Sequence, residues 1–134
     1  MTAISKEFLV KVLTEADEAA TKASDEWLAN AKPRYAVYSA DLITGKPNGE
    51  PIDYMLDVCG YARVVVKDKR SAFFKALVKF GLMDSRKYTP TIDLNYPLRC
   101  RQEMGLHEAA VAAAMEVFKK YELTDKLRIW SYID

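Results

Sequence analysis

The stretch Tyr54-Met55-Leu56-Asp57-Val58-Cys59-Gly60-Tyr61-Ala62-Arg63-Val64-Val65-Val66 decides how this chain is read. Valine, tyrosine and methionine fill it as they fill pleated, half-buried strands, and Gly60 in its midst marks a bulge or a close approach of backbone. Upstream, residues 35–40 mix aromatic and β-branched side chains in the same way. Between the two runs lies Gly45-Lys46-Pro47-Asn48-Gly49-Glu50-Pro51, dense in turn formers. The two strands are expected to pair as an antiparallel hairpin.

Helical periodicity flanks this strand pair. On the N-terminal side Phe8, Leu9, Val12, Leu13, Ala16, Ala19, Ala20, Ala23, Trp27 and Leu28 fall at spacings of three and four, lining one face of a helix over residues 5–30. Ser5 is its N-cap, Ile4 and Leu9 are placed as a hydrophobic staple, and Pro33 stops it. On the C-terminal side Asp68 or Ser71 caps a second helix running to Phe80. Phe73, Phe74, Leu77 and Val78 form its buried stripe, and Gly81 supplies the left-handed residue that ends it. Residues 88–96 alternate like a short strand that Pro90 confines to an edge or a start. A third helix over residues 104–121 carries Ala110, Val111, Ala114, Val117, Phe118 and Tyr121 on one face. Finally Leu127, Ile129 and Ile133 alternate with Arg128, Trp130 and Tyr132 in a terminal strand.

The order α-β-β-α-β-α-β implies a two-layer α+β fold: a three- or four-stranded mixed or antiparallel sheet with helices mainly on one face. At 134 residues and 15.2 kDa the chain has the size of a single domain, residues 1–134. Ser5, Lys6 and Glu7 interrupt the apolar run an export signal needs, and the longest apolar run, residues 109–115, is far shorter than the roughly 20 residues of a membrane span. A cytoplasmic setting is therefore expected, with Cys59 and Cys100 as free thiols. A terminal strand lying at a sheet edge would offer unpaired backbone to a second copy, so a homo-oligomer through Leu127–Ile133 is also expected.

The net charge of +1 conceals an asymmetry. Residues 61–101 hold ten basic side chains against three acidic ones, and the flanking segments are both acidic. Arg63, Lys67, Lys69, Arg70, Lys75 and Lys79 are interleaved there with Tyr61, Phe73, Phe74, Tyr88 and Tyr96. Cations beside aromatic rings are what single-stranded nucleic acid uses. The competing reading is that Phe73 and Phe74 belong to a helix core and that Lys75 and Lys79 keep that helix solvated.

Catalytic patterns are thin. His107 is the sole histidine and reads as a polar residue in the first turn of the third helix; its spacing from Cys100 matches no zinc motif. Cys59 reads as a small buried hydrophobe. Asp53 and Asp57, four apart, would share one face of a strand and could hold Mg²⁺ or divide acid and base roles, though a solvated face explains them as well. No G-x-S-x-G elbow and no P-loop is present, and no cofactor or metal is expected.

The runs Asp57-Val58-Cys59-Gly60-Tyr61-Ala62-Arg63-Val64 and Phe74-Lys75-Ala76-Leu77-Val78-Lys79-Phe80-Gly81, with Gln102-Glu103-Met104 and Glu108-Ala109 after them, carry a resemblance. Over residues 34–121 the chain resembles a group of small bacteriophage and prophage proteins that have a D-V-C-G-[FY]-A-x-V strand, an F-x-K-x-L-x-K-x-G helix end and a Q-x-M before an alanine-rich helix. The resemblance implies a phage or prophage origin and a host-cytoplasm setting, and it brings no activity. Where this chain has His107 the group has lysine, which speaks against a catalytic histidine. The expectation is a non-enzymatic accessory protein that acts by binding another macromolecule. One alternative is a nucleic-acid-binding module using the basic segment; the other is a small enzyme using Cys59, His107 or the Asp53 and Asp57 pair.

Overall fold

The computed structural model describes residues 4–133. It has three α-helices and four strands in the order α1 (Lys6–Asn30), β1 (Tyr35–Val37), β2 (Asp53–Met55), β3 (Gly60–Val66), α2 (Ala72–Lys79), α3 (Met104–Lys120) and β4 (Leu127–Ile133). The class is α+β, as expected. The signal-peptide reading of residues 1–10 lies partly outside the described residues. No described helix is long and apolar enough to cross a membrane.

Local chemistry sets the helix ends. The Phe8 N–H donates to the Ser5 hydroxyl at 3.1 Å, and the Phe74 N–H donates likewise to Ser71 at 3.1 Å, so Ser71 rather than Asp68 is the N-cap of α2. Asp68 instead accepts from the Arg70 N–H in the turn before it. Gly81 follows α2 at φ +72°, the left-handed conformation that stops a helix.

The four strands are shared between two antiparallel ladders, β1–β2 and β3–β4, rather than gathered in one sheet. The run 54–66 does not continue as one strand. It leaves the first ladder after Met55, spends Leu56–Cys59 on the turn that holds Asp57, and enters the second ladder at Gly60. Hairpin pairing of the first two strands therefore holds only for Tyr35–Val37 against Asp53–Met55, in the register Tyr35↔Met55. Gly60 is a close approach: a Cβ there would stand 2.5 Å from the Tyr132 carbonyl and 3.1 Å from the Met104 side chain.

β3 is the centre of the molecule. β4 pairs with it along its whole length, from Gly60↔Ile133 to Val66↔Leu127. Along its other edge runs the segment around Thr91, where Val66 N–H donates to Pro90 C=O and Ile92 N–H to Val64 C=O. The strand expected over residues 88–96 is reduced to that single bridge, since Pro90 supplies no N–H and the chain then turns into a 3₁₀ helix, Pro97–Cys100. α3 packs across the inner face of β3, and α1 packs on α3. The core joins Leu9, Val12, Val64, Val66, Phe73, Leu77, Leu106, Val111 and Phe118. The β1–β2 hairpin stands outside it and leaves Tyr35, Tyr38, Leu42, Ile43, Ile52 and Tyr54 exposed.

Candidate nucleic-acid interface

Strand alternation sorts β3 and β4 into two faces. Ala62, Val64, Val66 and Leu127 point inward and are buried. Tyr61, Arg63 and Val65 point to the other face, where the register sets them opposite Tyr132, Trp130 and Arg128 respectively. Side chains directly opposite in an antiparallel pair lie about 5 Å apart at Cβ and touch. The Tyr61 and Tyr132 ring centroids are accordingly 5.8 Å apart, and those of Trp130 and Tyr132 are 5.1 Å apart. Tyr61 and Tyr132 are half-buried and Trp130 is 43% exposed, so none of the three is sealed in the core.

Charge follows the rings. Arg63 stands beside Trp130, and Arg128 stands at the other end of β4. Beyond Val66, a shallow hollow brings Lys67, Lys69 and Arg128 together with Tyr88, whose side chain is 95% exposed. Neither strand contains an acid. Arg63, Lys67, Lys69 and Arg128 form no ion pair among the described residues; Lys69 donates to the Lys87 carbonyl, and Asp93 shares the hollow that Arg63 lines. From Tyr61 to Lys67 the strand spans about 20 Å at 3.3 Å per residue, with Val65, 2% exposed, covered between Arg63 and Lys67.

A hollow of about 310 Å³ opens at the Tyr61 end, between β3 and residues 92–100, with Arg63, Tyr96, Arg99 and His107 in its lining. His107 is 2% exposed, and both its ring nitrogens are engaged. Nε2 lies 2.5 Å from the Arg101 carbonyl, which can only accept, so this nitrogen carries the proton; Nδ1 then accepts from the Tyr96 hydroxyl. The Tyr61 ring packs on the imidazole with centroids 4.9 Å apart. The Tyr61 ring thus contacts both His107 and Tyr132 at the start of β3. Burial pushes the Tyr96 phenol up to about 12, against the opposing pull of Arg63 and Arg99. Arg99 is held by its bond to Asn95 Oδ1 at 2.9 Å.

Of the six basic residues singled out from the sequence, Arg63, Lys67 and Lys69 lie along this face. Arg70 is tied to Asp68 at 3.3 Å, and Lys75 and Lys79 extend from the exposed side of α2. Of the interleaved aromatics, Phe73, Phe74 and Tyr96 are core, while Tyr61 and Tyr88 are accessible. Arg128, Trp130 and Tyr132 were not among the candidates. Their alternation in an acid-free terminal strand is the signal that marks them, but their position beside Tyr61 depends on a pairing between residues about 70 apart.

The other candidate groups are placed differently. Asp57 is 5% exposed: its Oδ2 accepts the Gly105 N–H at 2.7 Å, and its Oδ1 meets Val58 N–H at 2.8 Å and Arg34 at 3.3 Å. Its carboxylate serves as the missing cap of α3, whose N-cap Glu103 makes no side-chain cap bond. Asp53 is exposed on β2 and its Oδ1 accepts the Tyr54 N–H at 2.8 Å, so the two carboxylates have no hydrogen-bond partner in common. Cys59 is half-buried with its thiol 3.6 Å from Gln102 Oε1, and both cysteines are free. The carboxylate of Glu103 is held below its usual range by its hydrogen bonds from Arg101, the nearest at 2.6 Å. Among the described residues no three His, Cys, Asp or Glu side chains gather as metal ligands would. No protein-family model, curated protein or solved structure matches the chain.

Proposed function

We propose that this protein binds single-stranded nucleic acid on the outer face of the β3–β4 ladder. One observation carries the reading: Tyr61, Trp130 and Tyr132, partly exposed residues, form a run of touching rings on the same face as Arg63 and Arg128, with Lys67 at its end and no acid on either strand. Rings on a sheet surface take up two or three unstacked bases, and flanking cations meet the phosphates between them. A duplex buries its base faces in its own stack and leaves such rings nothing to pair with. The reading narrows the broader expectation of an accessory protein that binds a macromolecule. The resemblance to phage and prophage proteins supports a setting in the bacterial cytoplasm.

The test is a titration of labelled single-stranded DNA and RNA, with a duplex of the same length alongside, by fluorescence anisotropy at two salt concentrations. Preferential, salt-weakened binding of single strands that Trp130→Ala and Arg63→Glu each reduce is the expected result. Equal or stronger duplex binding, or none at low salt, would overturn the assignment.

A further inference from the structure

Backbone direction in β3 fixes which groups of β4 are left over. Val66 and Gly60 donate away from β4, to Pro90 and Gln102, and the Val64 carbonyl accepts on that same side. The odd-numbered residues of β3 therefore bond to Arg128, Trp130 and Tyr132. Ile129, Ser131 and Ile133 consequently turn their N–H and C=O groups outward, where among the described residues no strand lies beside them.

Natural edge strands are blunted by proline, lysine, bulges or inward charges. β4 has none of these: its register runs unbroken through seven residues, and its one charge, Arg128, sits near its start. Its inner face is incompletely covered as well, with Ile129 44% and Ile133 70% exposed.

We infer that a second copy of this chain pairs with β4 antiparallel about a two-fold axis through Ser131, making a four-stranded sheet β3-β4-β4-β3. The strand is self-complementary in that register. Ile129 meets Ile133 of the second copy twice on the inner face, and Trp130 meets Tyr132 twice on the outer face. The outward groups of residues 129, 131 and 133 find matching partners, and the two Arg128 side chains stay about 20 Å apart at 3.4 Å per residue. Centring the axis on Trp130 instead would set Ile129 against Ser131 and bring the arginines closer. The axis is perpendicular to the sheet, so both aromatic faces lie on one side and join into a single platform. That last consequence, unlike the pairing, rests on the nucleic-acid reading.

Sedimentation equilibrium without nucleic acid tests the pairing by itself. Wild-type protein is expected at twice the 15.2 kDa chain mass. Ile129→Lys with Ile133→Lys sets lysine against lysine across the axis and is expected to return the single-chain mass. Ile129→Lys with Ile133→Glu sets lysine against glutamate at both places and is expected to retain the dimer. The two variants change the same exposed positions, so each is expected to fold, which circular dichroism checks. A wild-type mass of one chain at the highest attainable concentration would overturn the inference, as would two double variants of equal mass.

Discussion

Asp57 shows how one side chain joins parts of the chain that local pattern cannot connect. Its carboxylate accepts from Gly105, 48 residues away, and so fixes the turn between the two ladders to the start of α3. Gly105 is required at that meeting, since a Cβ there would stand 2.6 Å from Asp57 Oδ2 and 2.9 Å from the Trp27 ring. Asp57→Ala strips the cap from a buried helix start and is expected to lower stability by about 1–3 kcal/mol in urea unfolding. Nothing in the spacing of Asp53 and Asp57 announces this, because the donors come from a distant helix. Tyr96 has a pH signature of its own. Its folded-state phenol is raised above the ordinary value of 10 to about 12. Its contribution to stability is therefore fully present below pH about 10 and is lost as pH rises through about 12. Tyr96→Phe is expected to flatten that alkaline limb of a stability–pH curve. It also leaves His107 Nδ1 without its donor, at a cost of about 1–3 kcal/mol at neutral pH.

Among the elements, α1 and α3 were the most legible, because each buries its own periodic stripe; the start of α1 is set by its neighbour Ser5, whereas the start of α3 is capped from Asp57. Ala16 and Ala20 of α1 and Ala110 and Ala114 of α3 are fully buried where the two helices pack, so small side chains set how closely they approach. Ala110→Leu is expected to cost about 1–3 kcal/mol, read as a lowered Tm. The strands were harder. Residues 54–66 have strand composition throughout, yet the demand to bury Asp57 against α3 divides them, and Pro90 removes the donor that residues 88–96 needed to extend their pairing. The alternation in β4 was visible in the sequence. What could not be seen was its register with β3, which turns Trp130 and Tyr132 from two edge aromatics into neighbours of Tyr61. Loss of one stacked base through Trp130→Ala is expected to weaken single-strand affinity roughly 5- to 150-fold, corresponding to about 1–3 kcal/mol.

For the whole molecule, the excess of positive charge in residues 61–101 gains meaning only from where folding sends it. Arg63, Lys67 and Lys69 join Arg128 beside two strands that carry no acid, Arg70 is bound to its own turn, and Lys75 and Lys79 leave on α2. Charge reversal therefore separates the two groups: Lys67→Glu with Arg128→Glu is expected to weaken binding and flatten its salt dependence, whereas Lys75→Glu with Lys79→Glu is expected to change either much less. The most direct test of the central claim is the single-strand anisotropy titration across a salt series, run on wild type and Trp130→Ala. The expected result is a linear fall of log affinity with log salt for the wild type, and weaker binding by the variant at every salt concentration. Affinity that ignores salt, or that survives the loss of Trp130 unchanged, would contradict it.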